Sequence, residues 1–134
     1  MPHPVYTSTQ DALELARTGE TKALREQLDA GLSPNHSNDQ GHTLLMLATY
    51  HGHRETAALL LERGAEVDRR NQHGQTPLGG AAYKGYFEVV RLLIDHGADP
   101  EADQGGGNQP AFFAEMAGHR EIVNFLRTCN KQRK

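Results

Sequence analysis

The chain has 134 residues, is 6% aromatic with no Trp, and carries a formal charge of −3. That length suits one compact domain or one short array, and the acidic balance leaves no electrostatic footprint for nucleic acid or an anionic membrane. Apolar runs extend for only a handful of residues, too few to span a bilayer. Cys129 is the single cysteine. It forms no internal disulfide, so a reducing compartment, the cytoplasm, is expected.

The first stretch, "MPHPVYTSTQDALELARTGE", lacks a basic n-region and an apolar h-region and does not read as a secretion signal. From there a period takes over. Gly19, Gly52, Gly85 and Gly118 are each 33 residues apart. Gly31, Gly64 and Gly97 keep the same interval, as do Gly41, Gly74 and Gly107. Glu55, Glu88 and Glu121 follow it, with Ala48, Ala81 and Ala114, and Leu60, Leu93 and Leu126. A repeat of this length indicates stacked supersecondary units, none of which buries its apolar face alone.

In chain order the units run roughly over 5–37, 38–70, 71–103 and 104–130, with a short basic tail at 131–134. The first has helices around Gly19 but no hairpin signature. The second repeats that cadence from Gly41. The third is the clearest. Thr76 is placed as an N-cap and Pro77 at the first helical position, where its missing N–H is harmless. Gly85 supplies a left-handed stop. Glu88 opens a second helix with its charge at the positive end, and Val89, Val90, Leu92, Leu93 and Ile94 give that helix a broad apolar surface. Gly97 ends it, and "GADPEADQGGGNQ" leads out through turn-forming residues. The fourth unit is more divergent.

These units resemble the ankyrin repeat. The pattern G-x-T-P-L-x-x-A-A-x-x-G-x-x-E-V-V-x-L-L-x-x-G-A-D runs from Gly74 to Asp99. "GHTLLMLATYHGHRETAALLLERGAE" matches from Gly41 to Glu66, and "GNQPAFFAEMAGHREIVNFLR" from Gly107 to Arg127. "ALELARTGETKALREQLDAGLSPN" matches from Ala12 to Asn35 in its helices. The resemblance implies an all-α, ankyrin-type solenoid of about four helix-turn-helix repeats with short hairpin loops. Charge at Glu115 and Arg127, and at Glu14 and Glu26, suits solvated outer faces of end repeats, so a complete array is expected.

The chain departs from the family at the position after T-P-L. A histidine there usually bonds nearby backbone; here the residues are Met46, Gly79 and Phe112. Gly79 and Gly80 lie inside a short helix, at about 1 kcal/mol each relative to alanine. A phenylalanine of the fourth repeat, Phe112 or Phe113, is expected to fill the volume they vacate.

The resemblance also implies function: a protein–protein interaction module, as scaffold, adaptor or inhibitor, with no enzymatic activity and no cofactor. Its partner protein would sit on the concave face. By register that face carries Arg17, Tyr50, Tyr83 and Met116 as one ladder and His51 with Lys84 as a second. Asp39, Gln40, His42, Arg70, Gln72, His73 and Gln75 are expected at the hairpin tips, pointing outward. Tyrosine, large and rigid, is enriched at interface hot spots. A monomer that binds neither nucleic acid nor membrane is expected.

The alternative is a metal-binding or small enzymatic domain using the surface histidines. His53 and His119 open second helices and are expected to be structural, and His96 falls in a last helical turn. His3, His36, His42, His51 and His73 show no zinc-site spacing. "GGG" from Gly105 lacks the Lys-Ser/Thr of a phosphate loop, and Ser8 has no triad partners. Cys129, in the final helix, suits a half-buried structural thiol.

Overall fold

A computed structural model describes residues 9–133 of the chain. The start of the first repeat, with His3 and Ser8, lies outside the described residues, as does Lys134. The described residues form eight helices: α1 (Thr9–Thr18), α2 (Thr21–Asp29), α3 (Leu44–Tyr50), α4 (Arg54–Glu62), α5 (Pro77–Lys84), α6 (Phe87–Asp95), α7 (Pro110–Met116) and α8 (Arg120–Arg133). Among the described residues, strand-like pairing is limited to an isolated bridge between Ser37 and Thr43. The fold is all-α, as the resemblance implies.

Each repeat is a helical hairpin, and the hairpins layer side by side. The first helices stack as α1, α3, α5 and α7, and the second as α2, α4, α6 and α8. Alanine makes the first row compact: Ala48, Ala81 and Ala114 have no exposure, and their small side chains let neighbouring helices approach. Leu60, Leu93 and Leu126 fill the second row, also without exposure. The core is therefore continuous along the stack, each layer covering the apolar face of the next.

The turn between the two helices of a repeat shows why its glycine is needed. Gly85 has φ +86°, the left-handed region that only glycine enters freely, and its N–H bonds the Ala81 carbonyl at 3.0 Å. The imidazole of His119 lies against it: a Cβ at position 85 would stand 2.7 Å from Nε2. That nitrogen meets the Tyr83 carbonyl at 3.0 Å. His53 repeats the arrangement over Gly19, with Nε2 at 2.8 Å from the Arg17 carbonyl. Both histidines are structural, as their position predicts. His96 follows the last residue of α6 and turns its Nδ1 back to the Leu92 carbonyl at 3.0 Å.

The hairpin loops are built alike. Asn38 Oδ1 accepts from the N–H groups of Gln40 and His42 at 2.9 and 3.0 Å. Asn71 does the same for His73 and Gln75. In the third loop the acceptor moves back one residue: Asp103 Oδ1 takes the N–H groups of Gly105 and Gly107 at 2.8 and 2.9 Å. Gln104, the register equivalent of Asn38 and Asn71, is thereby released from the loop and turns inward.

On the outer face of the fourth repeat Arg127 Nη2 reaches Glu115 Oε1 at 3.4 Å, both well exposed. The two charges seen in the sequence answer each other. Helix α8 continues through Arg133, so the basic residues from Lys131 extend its backbone.

Candidate interaction surface

The first helices, called the inner helices below, present a hollow of about 560 Å³ on the face shared by α3, α5 and α7. Its origin is local. Adjacent repeats carry Met46 and Leu47, and Phe112 and Phe113, where α5 has Gly79 and Gly80. Two missing side chains in one turn leave space in an otherwise even surface.

What fills part of that space is not a phenylalanine, contrary to the expectation from register. Gln104 fills it. A Cβ at Gly79 would stand 2.5 Å from Gln104 Cδ. The Gln104 amide is 5% exposed and fully engaged. Its Oε1 accepts from the Thr76 N–H at 2.8 Å, and its Nε2 donates to Thr76 Oγ1 and the Ala102 carbonyl, both at 2.9 Å. A polar stitch between repeats three and four therefore exists, supplied by Gln104 instead of a histidine after T-P-L. It also changes the cap. Thr76 is the N-cap residue of α5 as predicted, but its hydroxyl receives Gln104 and bonds no N–H of the helix. Thr43, in the same place on α3, accepts from Met46 N at 3.0 Å.

Gly80 is the other half of the gap. Tyr50 Cδ1 lies 3.1 Å from where its Cβ would be. The remaining hollow is bounded by Tyr50, Tyr83, Met46, Pro77 and Phe113, with Gln104 behind. His42, His51 and Gln75 also line it. Five residues chosen from register thus meet around one cavity: His42, Tyr50, His51, Gln75 and Tyr83. Register does not place Gln104 on this surface, and Phe113 and Gly80 enter it through the gap that the Gly79–Gly80 pair marks in the sequence.

Four large apolar side chains among the described residues stay exposed: Tyr50 at 42%, Tyr83 at 47%, Phe112 at 42% and Met116 at 63%. Three of them fall on the ladder expected from register, and the fourth lies one turn before Met116. Lys84 Nζ sits 5.1 Å from the centroid of the Tyr50 ring, within cation–π range. His51 packs edge-on against Tyr50 at 5.5 Å and stacks with His53 at 6.5 Å. Burial, then the positive charges of Arg17, His53 and Lys84, hold the His51 pKa below the ordinary histidine value. Arg17 is exposed and pairs with Glu14, its Nε 3.0 Å from Oε1.

The hairpin tips form a strip beside the hollow, and of their residues His42, Asn71 and Gln75 reach its lining. Asp39, Gln40 and His73 are exposed. Gln72 and Arg70 do not simply point outward. Gln72 Nε2 donates to the Asp39 carbonyl at 2.6 Å, and its N–H to the Gln40 carbonyl at 3.0 Å. Arg70 Nη1 donates to the Gly74 carbonyl at 2.7 Å and also to the Asp103 carbonyl. Gln75 Oε1 accepts from Asn71 Nδ2 at 2.9 Å. Gln72 and Arg70 thus tie their loop to its two neighbours, whereas the Gln75 contact stays within its own loop.

Among the described residues no three His, Cys, Asp or Glu side chains converge as a metal site would require, and no helix is long and apolar enough to cross a membrane. Burial, then Asp95, pushes the Cys129 thiol up, away from the nucleophilic thiolate. The surface offers shape, aromatic area and cationic groups.

The family pattern described as ankyrin repeats in three copies matches residues 12–104 and 70–134. An ankyrin repeat protein of Pseudomonas aeruginosa is 50% identical over 46 residues, 34% of this chain and 27% of that protein. An ankyrin repeat-containing protein of Schizosaccharomyces pombe is 36% identical over 61 residues, 46% of this chain and 30% of that one. The mouse protein fem-1 homolog A-like is 61% identical over 31 residues, 23% of this chain and 5% of its own length. The matches thus span less than a third of each of these relatives. Ankyrin repeats indicate a protein–protein interaction module and are typically without enzymatic activity. With the glycine period, the layered hairpins and a family match over most of its length, the chain belongs to the ankyrin repeat family.

Proposed function

We propose that the chain binds a partner protein on the face of its inner helices, as a scaffold, adaptor or inhibitor. The observation that carries this is the segregation of exposed apolar area. Tyr50, Tyr83, Phe112 and Met116 all lie on α3, α5 and α7, and the second helices contribute none of the large exposed apolar side chains among the described residues. Exposed aromatic area of this kind is what protein interfaces use. The strip of hairpin tips, with Asp39, Gln40 and His73, extends the same surface. A stack held by shared cores and loop-to-loop bonds presents that surface with little reshaping on binding. The unpaired Cys129 suits a reducing compartment, and the proposed working form is a cytoplasmic monomer comprising one domain of four repeats. The test is affinity capture from the native cell with wild-type protein and a Tyr50→Ala/Tyr83→Ala variant side by side. A partner retained by wild type and lost by a folded double variant supports the reading. Equal retention overturns it.

A further inference from the structure

Position 80 has no side chain, and the hollow beside it is walled by Tyr50, Tyr83 and Phe113. At about 560 Å³ it falls within the ~300–1,000 Å³ of cavities that bury compact apolar groups. The exposed apolar area does not stop at its edge. Phe112 and Met116 continue it onto α7. Packed helices lie about 8–10 Å apart, so the surface from α3 to α7 runs for about 20 Å, the length of about six extended residues. That suits a polypeptide segment better than a single compact molecule.

The charge beside the hollow is positive, although the whole chain carries −3. Lys84 stands over the Tyr50 ring, and the same ring meets His51. Arg17 and Lys84 both lie close enough to act on His51. Arg17 has a carboxylate in Glu14, whereas no ion pair among the described residues joins Lys84 to one. An apolar cavity and a cation with no carboxylate partner among the described residues therefore share one wall, Tyr50.

We propose that they form one recognition site for an acidic–apolar linear motif. A partner segment places a bulky apolar side chain in the space beside Gly80, between Tyr50 and Tyr83, and a carboxylate one or two residues away on Lys84 and His51. This rests on the inner-helix face being the binding face, and it adds the chemistry of what binds there.

The probe is a phage-displayed library of random peptides about a dozen residues long, selected against the full chain. Enriched sequences are expected to pair Asp or Glu with Phe, Tyr, Leu or Met at neighbouring positions. A fluorescein-labelled selected peptide is titrated by anisotropy against wild type and Lys84→Glu, whose fold is checked by circular dichroism. Lys84→Glu is expected to weaken binding about tenfold. Changing the peptide's acid to its amide is expected to abolish that difference. Amide shifts on binding should centre on Tyr50, Gly80 and Tyr83. Peptides that map there but lack an acid, or that ignore Lys84→Glu, overturn the motif and leave the face standing. Peptides that map to the second helices overturn both. A library that yields no binder overturns the motif, and the Tyr50/Tyr83 capture experiment then decides the face alone.

Discussion

Gln104 stands where a side chain at Gly79 would be, and it uses that place to bond Thr76 across the boundary between the third and fourth repeats. A glycine that looks like a weak point in a helix is therefore the socket of an inter-repeat contact. Gly79→Ala would gain about 1 kcal/mol of helix propensity but displace the Gln104 amide. The buried Thr76 N–H would lose its acceptor, at about 1–3 kcal/mol. Net destabilisation of up to about 2 kcal/mol is expected, read from urea unfolding. In a Gln104→Ala background the three nearest side-chain atoms are gone, so the same substitution should stabilise. A stabilising Gly79→Ala in the wild-type chain would contradict the socket.

Gly80→Ala should behave differently. Its Cβ would meet Tyr50 Cδ1 at 3.1 Å and no other atom closer than 3.8 Å. Tyr50 is 42% exposed, so its ring is free to yield by a few tenths of an ångström. A stability gain of up to about 1 kcal/mol is expected, together with weaker partner binding because the hollow narrows. Calorimetry on the free protein and titration with the partner separate the two effects. Loss of stability would show that the Tyr50 ring is held rigidly.

Truncating both tyrosines tests the face itself. Tyr50→Ala with Tyr83→Ala should cost about 2–4 kcal/mol of partner affinity. Both side chains are largely exposed, so the unfolding midpoint should move little. Isothermal titration against the captured partner measures the first, and urea denaturation the second.

The imidazole over Gly85 gives a third check on the stack. His119→Ala removes the Nε2 contact with the Tyr83 carbonyl and should cost about 1 kcal/mol. Gly85→Ala meets both a φ of +86° and the His119 ring. It should cost more in the wild-type chain than in the His119→Ala background, where only the backbone strain remains, about 1–2 kcal/mol. Equal costs in both backgrounds would show that the ring does not enforce the glycine.

The His51 pKa, lowered by burial and then by Arg17, His53 and Lys84, sets a direction for acid. The unfolded chain binds a proton there near pH ~6.5, and the folded chain only below that. The contribution of His51 to stability is therefore complete above pH ~6.5 and declines as pH falls toward the folded value. His51→Gln should flatten this part of the profile. Lys84→Ala should raise the His51 pKa, measured by NMR titration of the ring.

The fold was legible in the sequence because its signals are local and repeated. Gly85 as a stop, Pro77 at a first turn and the leucines at one interval each specify structure within a few residues, and the period fixes how the pieces stack. The ladder of Tyr50, Tyr83 and Met116 followed by the same logic. The hollow was only half legible. The glycine pair announced a gap, but register pointed to Phe112 or Phe113 as its filler. The true filler is Gln104, whose register mates Asn38 and Asn71 serve their own loops. Its inward turn depends on Asp103 taking over the loop one residue early, which no pairwise register comparison reveals. The outward reach assigned to Arg70 and Gln72 missed the neighbouring loops for the same reason: the acceptors are main-chain carbonyls, and these have no letter in the sequence.

The displaced loop acceptor at Asp103 has a consequence for how this array can be edited. Gln104 belongs to the fourth repeat by position, yet it completes the third. A chimera in which the segment from 104 onward is exchanged for a duplicate of an earlier repeat would bring Asn to that place and leave the ledge at Gly79 bare. Cutting and joining would be safer downstream of the three-glycine loop, so that the donor and its seat travel together. The transferable module here is a repeat plus the beginning of its successor.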